Sequence, residues 1–192
     1  MMDFDQFVSE YIAEDHDVEQ LSVMVLEEKA AHAAADAHRF GRYVFFLYDQ
    51  TGEEQYRTWI ERNAEWLKNS PQSENGVFGC VEDSSRKISG SVMFSVYPFY
   101  MEYETRYHNK AEYAQIVRQL LALAPSEQAD MEQKGWYLMA VIDVIDSMSR
   151  EIFEHYKSLE EIFKKTIRNI LAAGWNNDFS KKESAMMGYS II

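Results

Sequence analysis

The strongest constraint on this chain is a helical plan written twice. FFLYDQTGEEQYRTWIERNAEWL and FYMEYETRYHNKAEYAQIVRQLLAL each carry an aromatic-rich helix ending in a Tyr–acid pair. A short polar turn follows in each, and then a second helix with a Tyr near its start. Tyr48 and Tyr103 hold corresponding places, and VIDVIDSMSREIFEHYKSLEEIFKKTI is a looser third copy. One such hairpin cannot bury its own apolar side. Successive copies must stack, as a solenoid, a toroid or a bundle.

Apolar residues recur at helical spacing almost throughout. Phe4, Phe7, Val8 and Tyr11 form one stripe, and Leu21, Val25 and the VMVL run form another. The alanines from Ala30 to Ala37 leave room for a close neighbour. Gly52 after Thr51 reads as a left-handed cap. Ser70 to Ser85 is the longest polar stretch, a loop with at most a short hairpin at Val77-Phe78. Ile88 to Tyr107 is apolar and aromatic, a stretch whose rings suit either a helix–helix seam or the C–H face of a sugar. Pro98 lies inside it, lacks an amide proton, and is expected to kink or restart the helix. Further helices are expected over Asn109–Ala124, Lys134–Met148, Glu151–Ala173 and from Glu183 to an abrupt end at Ile191-Ile192. The total is about eight or nine helices.

Composition narrows the function. The chain has 192 residues, 46% hydrophobic and 27% charged, a balance that supports one globular domain over residues 1–192. A net charge of −13 repels phosphate backbones and anionic lipid, so neither nucleic acid nor membrane is an expected partner. Cys80 is the only cysteine, and the N-terminal stretch is acidic without an apolar run. A reducing, cytoplasmic setting is therefore expected.

GRYVFFLYDQTGEEQYRTWIERNAEWL, YPFYMEYETRY, KGWYLMAVIDVID and ESAMMGYSII, in that order, resemble glycoside hydrolase families 88 and 105. These are the unsaturated glucuronyl and rhamnogalacturonyl hydrolases. The resemblance implies an all-α fold of antiparallel helical hairpins in an (α/α) toroid. The chain is short for twelve helices at about 25 to 30 residues per helix and loop. An incomplete arc is therefore expected, or a ring completed by a second copy.

The implied chemistry acts on pectin- or glycosaminoglycan-derived oligosaccharides. An aspartate protonates a carbon–carbon double bond in an unsaturated uronic sugar, water adds, and the glycosidic link falls apart. No metal or organic cofactor is implied. The donor's pKa must be lifted by burial or by a like-charged neighbour.

Asp36 stands five residues before Gly41, where the family keeps a carboxylate, and is the implied catalytic acid. The family's proton-donor position, seven before the Pro of Pro-Phe, is Ser91 here. Serine cannot protonate an alkene. The family's carboxylate-binding Arg, four before its Trp, maps to Glu132, and the Trp itself is Trp136. The implied substrate contacts are thus Trp136, Tyr97 and Ser91. The substituted positions support an alternative, a non-catalytic carbohydrate-binding or protein-interaction module on the same scaffold.

Each residue also has a plainer reading. Asp36 can be a solvated or capping acid, Trp136 can be core, and Tyr97 and Tyr100 can simply pack beside Pro98. Asp143 and Asp146, three apart on one helix face, read as a solvated acidic stripe. Glu102 and Glu104 point to different faces. His32, Asp36 and His38 lack the further ligands a metal needs.

Overall fold

The computed structural model describes residues 41–69, 88, 90–172 and 180–191. Within them are seven helices and no strand: α1 Gly41–Thr51, α2 Glu54–Asn69, α3 Gly90–Arg106, α4 Tyr113–Ala122, α5 Met131–Ser147, α6 Phe153–Ala172 and α7 Lys181–Ile191. They form two layers. In the inner layer α1 packs on α3, α3 on α5 and α5 on α7. In the outer layer α2 covers α1 and α3, while α4 and α6 pack on each other and cover α3 and α5 respectively. The repeat thus corresponds to the hairpins α1–α2, α3–α4 and α5–α6. The architecture is all-α, toroid-like and incomplete.

The sequence sorts the helices into layers. Outer helices are amphipathic. α2 buries Tyr56, Ile60, Ala64 and Leu67 on one stripe and exposes Glu61, Arg62 and Lys68. α4 does the same with Tyr113, Ile116, Val117 and Leu120. Inner helices are apolar on several sides, as an element with neighbours all round must be. α1 buries the consecutive Val44, Phe45, Phe46 and Leu47, and α3 buries every residue from Val96 to Glu102.

α3 runs unbroken through Pro98, so the expected kink or restart does not interrupt the helix. Proline withholds one hydrogen bond and crowds the preceding turn. Here α1, α2, α4 and α5 all pack on the helix and hold it.

Turn chemistry sets the hairpins. Gly52 has φ +67° and its N–H donates to the Tyr48 carbonyl at 2.8 Å, closing α1 as expected. Nothing lies within 4 Å of a Cβ built there, so the backbone conformation and not space requires glycine. After α3, Asn109 and Lys110 take φ 54° and 63°, which is why α4 starts later than expected. The fully buried Glu104 carboxylate organises that turn. It accepts the Glu112 N–H at 2.9 Å and meets His108 Nδ1 at 2.8 Å.

α5 starts at Met131 because Asp130 caps it, accepting the Gln133 N–H at 2.7 Å. α7 opens on a reciprocal cap: the Ser180 N–H donates to Glu183 Oε2 and the Glu183 N–H to Ser180 Oγ. Gly135 lets α7 close on α5, since a Cβ there would lie 2.8 Å from Met186 Sδ and 3.0 Å from its Cβ. The possible hairpin at Val77-Phe78 and the helices before Gly41 lie outside the described residues.

Candidate active-site face

The inner helices carry a charged network at one end of their shared face. Arg42 of α1 reaches Asp143 of α5 at 2.9 Å, and Glu102 of α3 and Asp146 of α5 at 3.6 Å each. Glu102 also accepts Arg106 Nη2 at 2.7 Å, and Arg106 Nη1 bonds Asp49 of α1 at 2.6 Å. The Tyr189 hydroxyl of α7 donates to the other Asp143 oxygen at 2.8 Å. One connected network therefore ties all four inner helices together.

Burial sets the protonation of this network. Burial opposes the Arg42 charge, but Asp143 and Glu102 outweigh it and hold the guanidinium charged. Burial pushes the Asp143 carboxyl upward, against the pull of Arg42 and the Tyr189 hydrogen bond. Burial, with Asp143 alongside, also raises the Tyr189 phenol, so it stays a donor. The Asp143/Asp146 pair, expected to face water as a stripe, instead divides. Asp143 is buried against Arg42, and only Asp146 is exposed. Glu102 and Glu104 do serve different faces, one in the network and one in the α3–α4 turn.

Toward the N-terminal ends of α3 and α5 the face turns aromatic, with Tyr189 from the last turn of α7 alongside. Phe94 packs on Trp136 with ring centroids 5.8 Å apart and meets Tyr189 edge-on at 6.0 Å. All three rings are partly open to solvent, and Tyr189 is 45% exposed. Trp136 packs closely against the start of α3: a Cβ at Gly90 would come within 2.6 Å of Trp136 Cβ, so only glycine admits the side chain. The indole N–H donates to Glu132 Oε1 at 3.3 Å, and the Lys182 ammonium sits 5.5 Å from the ring centroid. Aromatic faces of this kind suit the C–H side of a sugar ring.

The expected substrate contacts separate. Trp136 is on this face. Ser91 is exposed, at helical spacing with Ser95 and Glu102 on α3. Tyr97 is fully buried, its hydroxyl donating to Gln119 of α4 at 2.8 Å, which places the ring in the core on the outer-layer side. Asp36, His32, His38 and Cys80 lie outside the described residues. Among the described residues no group of three or more His, Cys, Asp or Glu could hold a metal ion. No helix there is long and apolar enough to cross a membrane.

The family model for Glycosyl Hydrolase Family 88 matches residues 3–132, well over half of the chain. The chain belongs to glycosyl hydrolase family 88. A solved family 105 glycoside hydrolase from C. acetobutylicum ATCC 824 has a similar fold, with a TM-score of 0.63 at 17% identity. The likeness covers 82% of this chain and 48% of that one, so the chain spans about half the length of its structural relative. No curated protein matches.

Set on the family 88 scaffold, several members of the face are absent from the residues that the sequence singles out, among them Arg42, Lys182 and Tyr189. Tyr189 and Lys182 had a signal, since they stand seven apart at the two-turn spacing of one helix face. Arg42 had none. Its partners come from α3 and α5, distant in sequence.

Proposed function

We propose that this family 88 protein is a glycoside hydrolase of the unsaturated-uronyl type, acting on pectin- or glycosaminoglycan-derived oligosaccharides. The sugar lies on the aromatic face of α3, α5 and α7, with Trp136 as platform and Ser91 at its edge. Asp36 gives its proton to the double bond, water adds to the adjacent carbon and returns a proton to the carboxylate, and the unstable product opens to release its neighbour. The observation that carries this reading is the solvent-open run Phe94–Trp136–Tyr189 on the inner layer, with a cation beside it.

A second reading, a non-catalytic sugar-binding module, has its own support. Ser91 stands at the donor position, and Glu102 and Asp143 on the inner face are both engaged by arginine. The test is loss of ultraviolet absorbance from unsaturated disaccharides, with Asp36→Asn alongside. Turnover abolished by Asp36→Asn supports the hydrolase. Binding without turnover supports the module. Neither binding nor turnover overturns both.

A further inference from the structure

We infer that Lys182 is the specificity-determining residue of this face, the group that selects a ligand carrying a carboxylate. The inference rests on the carbohydrate reading above and goes beyond it in naming what distinguishes an acidic sugar from a neutral one. The face as a whole is acidic: Glu102, Asp143, Asp146 and Glu132 outnumber the cations on it. A uronate approaching it needs a local positive charge. Arg42 is largely shielded and engaged by Asp143, Glu102 and Asp146, and Arg106 is held by Asp49 and Glu102.

Lys182 differs in three ways. It comes from α7, across from the aromatic platform on α5. Its side chain is more than half exposed. Its ammonium lies over the Trp136 ring, 5.5 Å from the centroid. A sugar packed against the exposed part of Trp136 would bring its carboxylate to the ammonium.

Glu132 fixes this arrangement. One oxygen, Oε1, accepts both Lys182 Nζ at 2.5 Å and the Trp136 indole N–H at 3.3 Å. The ammonium and the platform are thereby held in one register. An ammonium has three donors, and among the described residues only Glu132 accepts from this one. The remaining N–H groups can serve a ligand carboxylate. Glu132 has a second effect: its negative charge, kept ionised by the Lys182 hydrogen bond, repels the carboxylate that Lys182 attracts. It sets a ceiling on affinity.

The experiment is calorimetric titration of the whole protein with an unsaturated uronyl disaccharide and with a neutral disaccharide of the same size. Lys182→Ala is expected to weaken the acidic sugar about fivefold, the size of an exposed charge contact, and to leave the neutral sugar unchanged. Lys182→Arg should restore the acidic preference. Glu132→Gln, which keeps an acceptor for both partners, should tighten the acidic sugar alone. Lys182 and Glu132 are exposed, so thermal unfolding should match wild type. An unchanged acid-to-neutral ratio in Lys182→Ala overturns the inference while the carbohydrate reading stands. No binding of either sugar to wild type overturns both.

Discussion

Arg42→Met tests the inner-layer network most directly. The substitution keeps most of the side-chain volume and removes the charge. At an effective dielectric of about 20, the Arg42–Asp143 contact at 2.9 Å is a gross attraction of about 6 kcal/mol. Desolvation of the guanidinium offsets part of it, and the side chain is only 12% exposed. Glu102 keeps Arg106 on its other oxygen and Asp146 is already exposed, so most of the cost falls on Asp143. That carboxylate would be left buried with the Tyr189 hydroxyl as its remaining partner. Removing one partner of a buried pair costs about 3 to 5 kcal/mol, and the middle of that range is expected here.

The pH dependence has a definite sign. With Arg42 gone, only the Tyr189 hydrogen bond opposes burial, and the folded pKa of Asp143 rises further above its unfolded value. Between those two values the folded state holds the extra proton, so stability falls as pH rises through the window and returns below it. The Arg42→Met deficit should therefore shrink as pH is lowered from neutral into the carboxylate range. Arg42→Met/Asp143→Asn should recover about 2 kcal/mol, the coupling expected of groups in contact. The assay is urea unfolding followed by tryptophan fluorescence across that range. A deficit below about 1 kcal/mol, independent of pH and additive with Asp143→Asn, would refute the reasoning.

Gly135→Ala should destabilise by about 1 to 3 kcal/mol, because the new methyl meets the Met186 Cβ as well as its flexible end; thermal unfolding measures it. Lys110→Gly should stabilise by about 1 kcal/mol in urea unfolding, since a left-handed φ of 63° is strained for lysine and its pair with the exposed Glu151 contributes little. Glu104→Gln should gain on wild type as pH rises through the carboxylate range. Burial holds the Glu104 pKa up in the fold, so the wild type loses stability there and the glutamine does not; parallel unfolding curves for the two proteins at all pH values would contradict this.

Helix content, the hairpin repeat and the Gly52 cap were legible because each is written locally, in spacing or in one residue's backbone preference. Apolar spacing alone places two helix starts too late, at Lys134 and Glu183, where the helices begin at Met131 and Lys181. The signals were present: Asp130 precedes the first turn of α5, and Ser180 with Glu183 is a capping box. Spacing places the start of α4 too early because a left-handed lysine has no sequence signature. Asp143 is buried where its spacing predicts exposure, and for a deeper reason. Acids at helical spacing are usually solvated, and only the packing of α1 beside α3 and α5 brings a guanidinium to this one.

The two ends of the inner face answer one physical problem. An apolar face on an inner layer would draw other chains to it wherever it met solvent. This chain places charge there, graded from the buried Asp143 and the largely shielded Arg42 to the exposed Asp146 and Arg106. Asp143, Arg42 and Glu102 are too well engaged with one another to bind tightly to anything else. On the proposed reading recognition falls to the other end, where Trp136 stays partly open and Lys182 is held but not enclosed. Stability and binding are thereby assigned to different residues of the same helices. Arg42 can be lost at the expense of the fold, and Lys182 at the expense of the ligand.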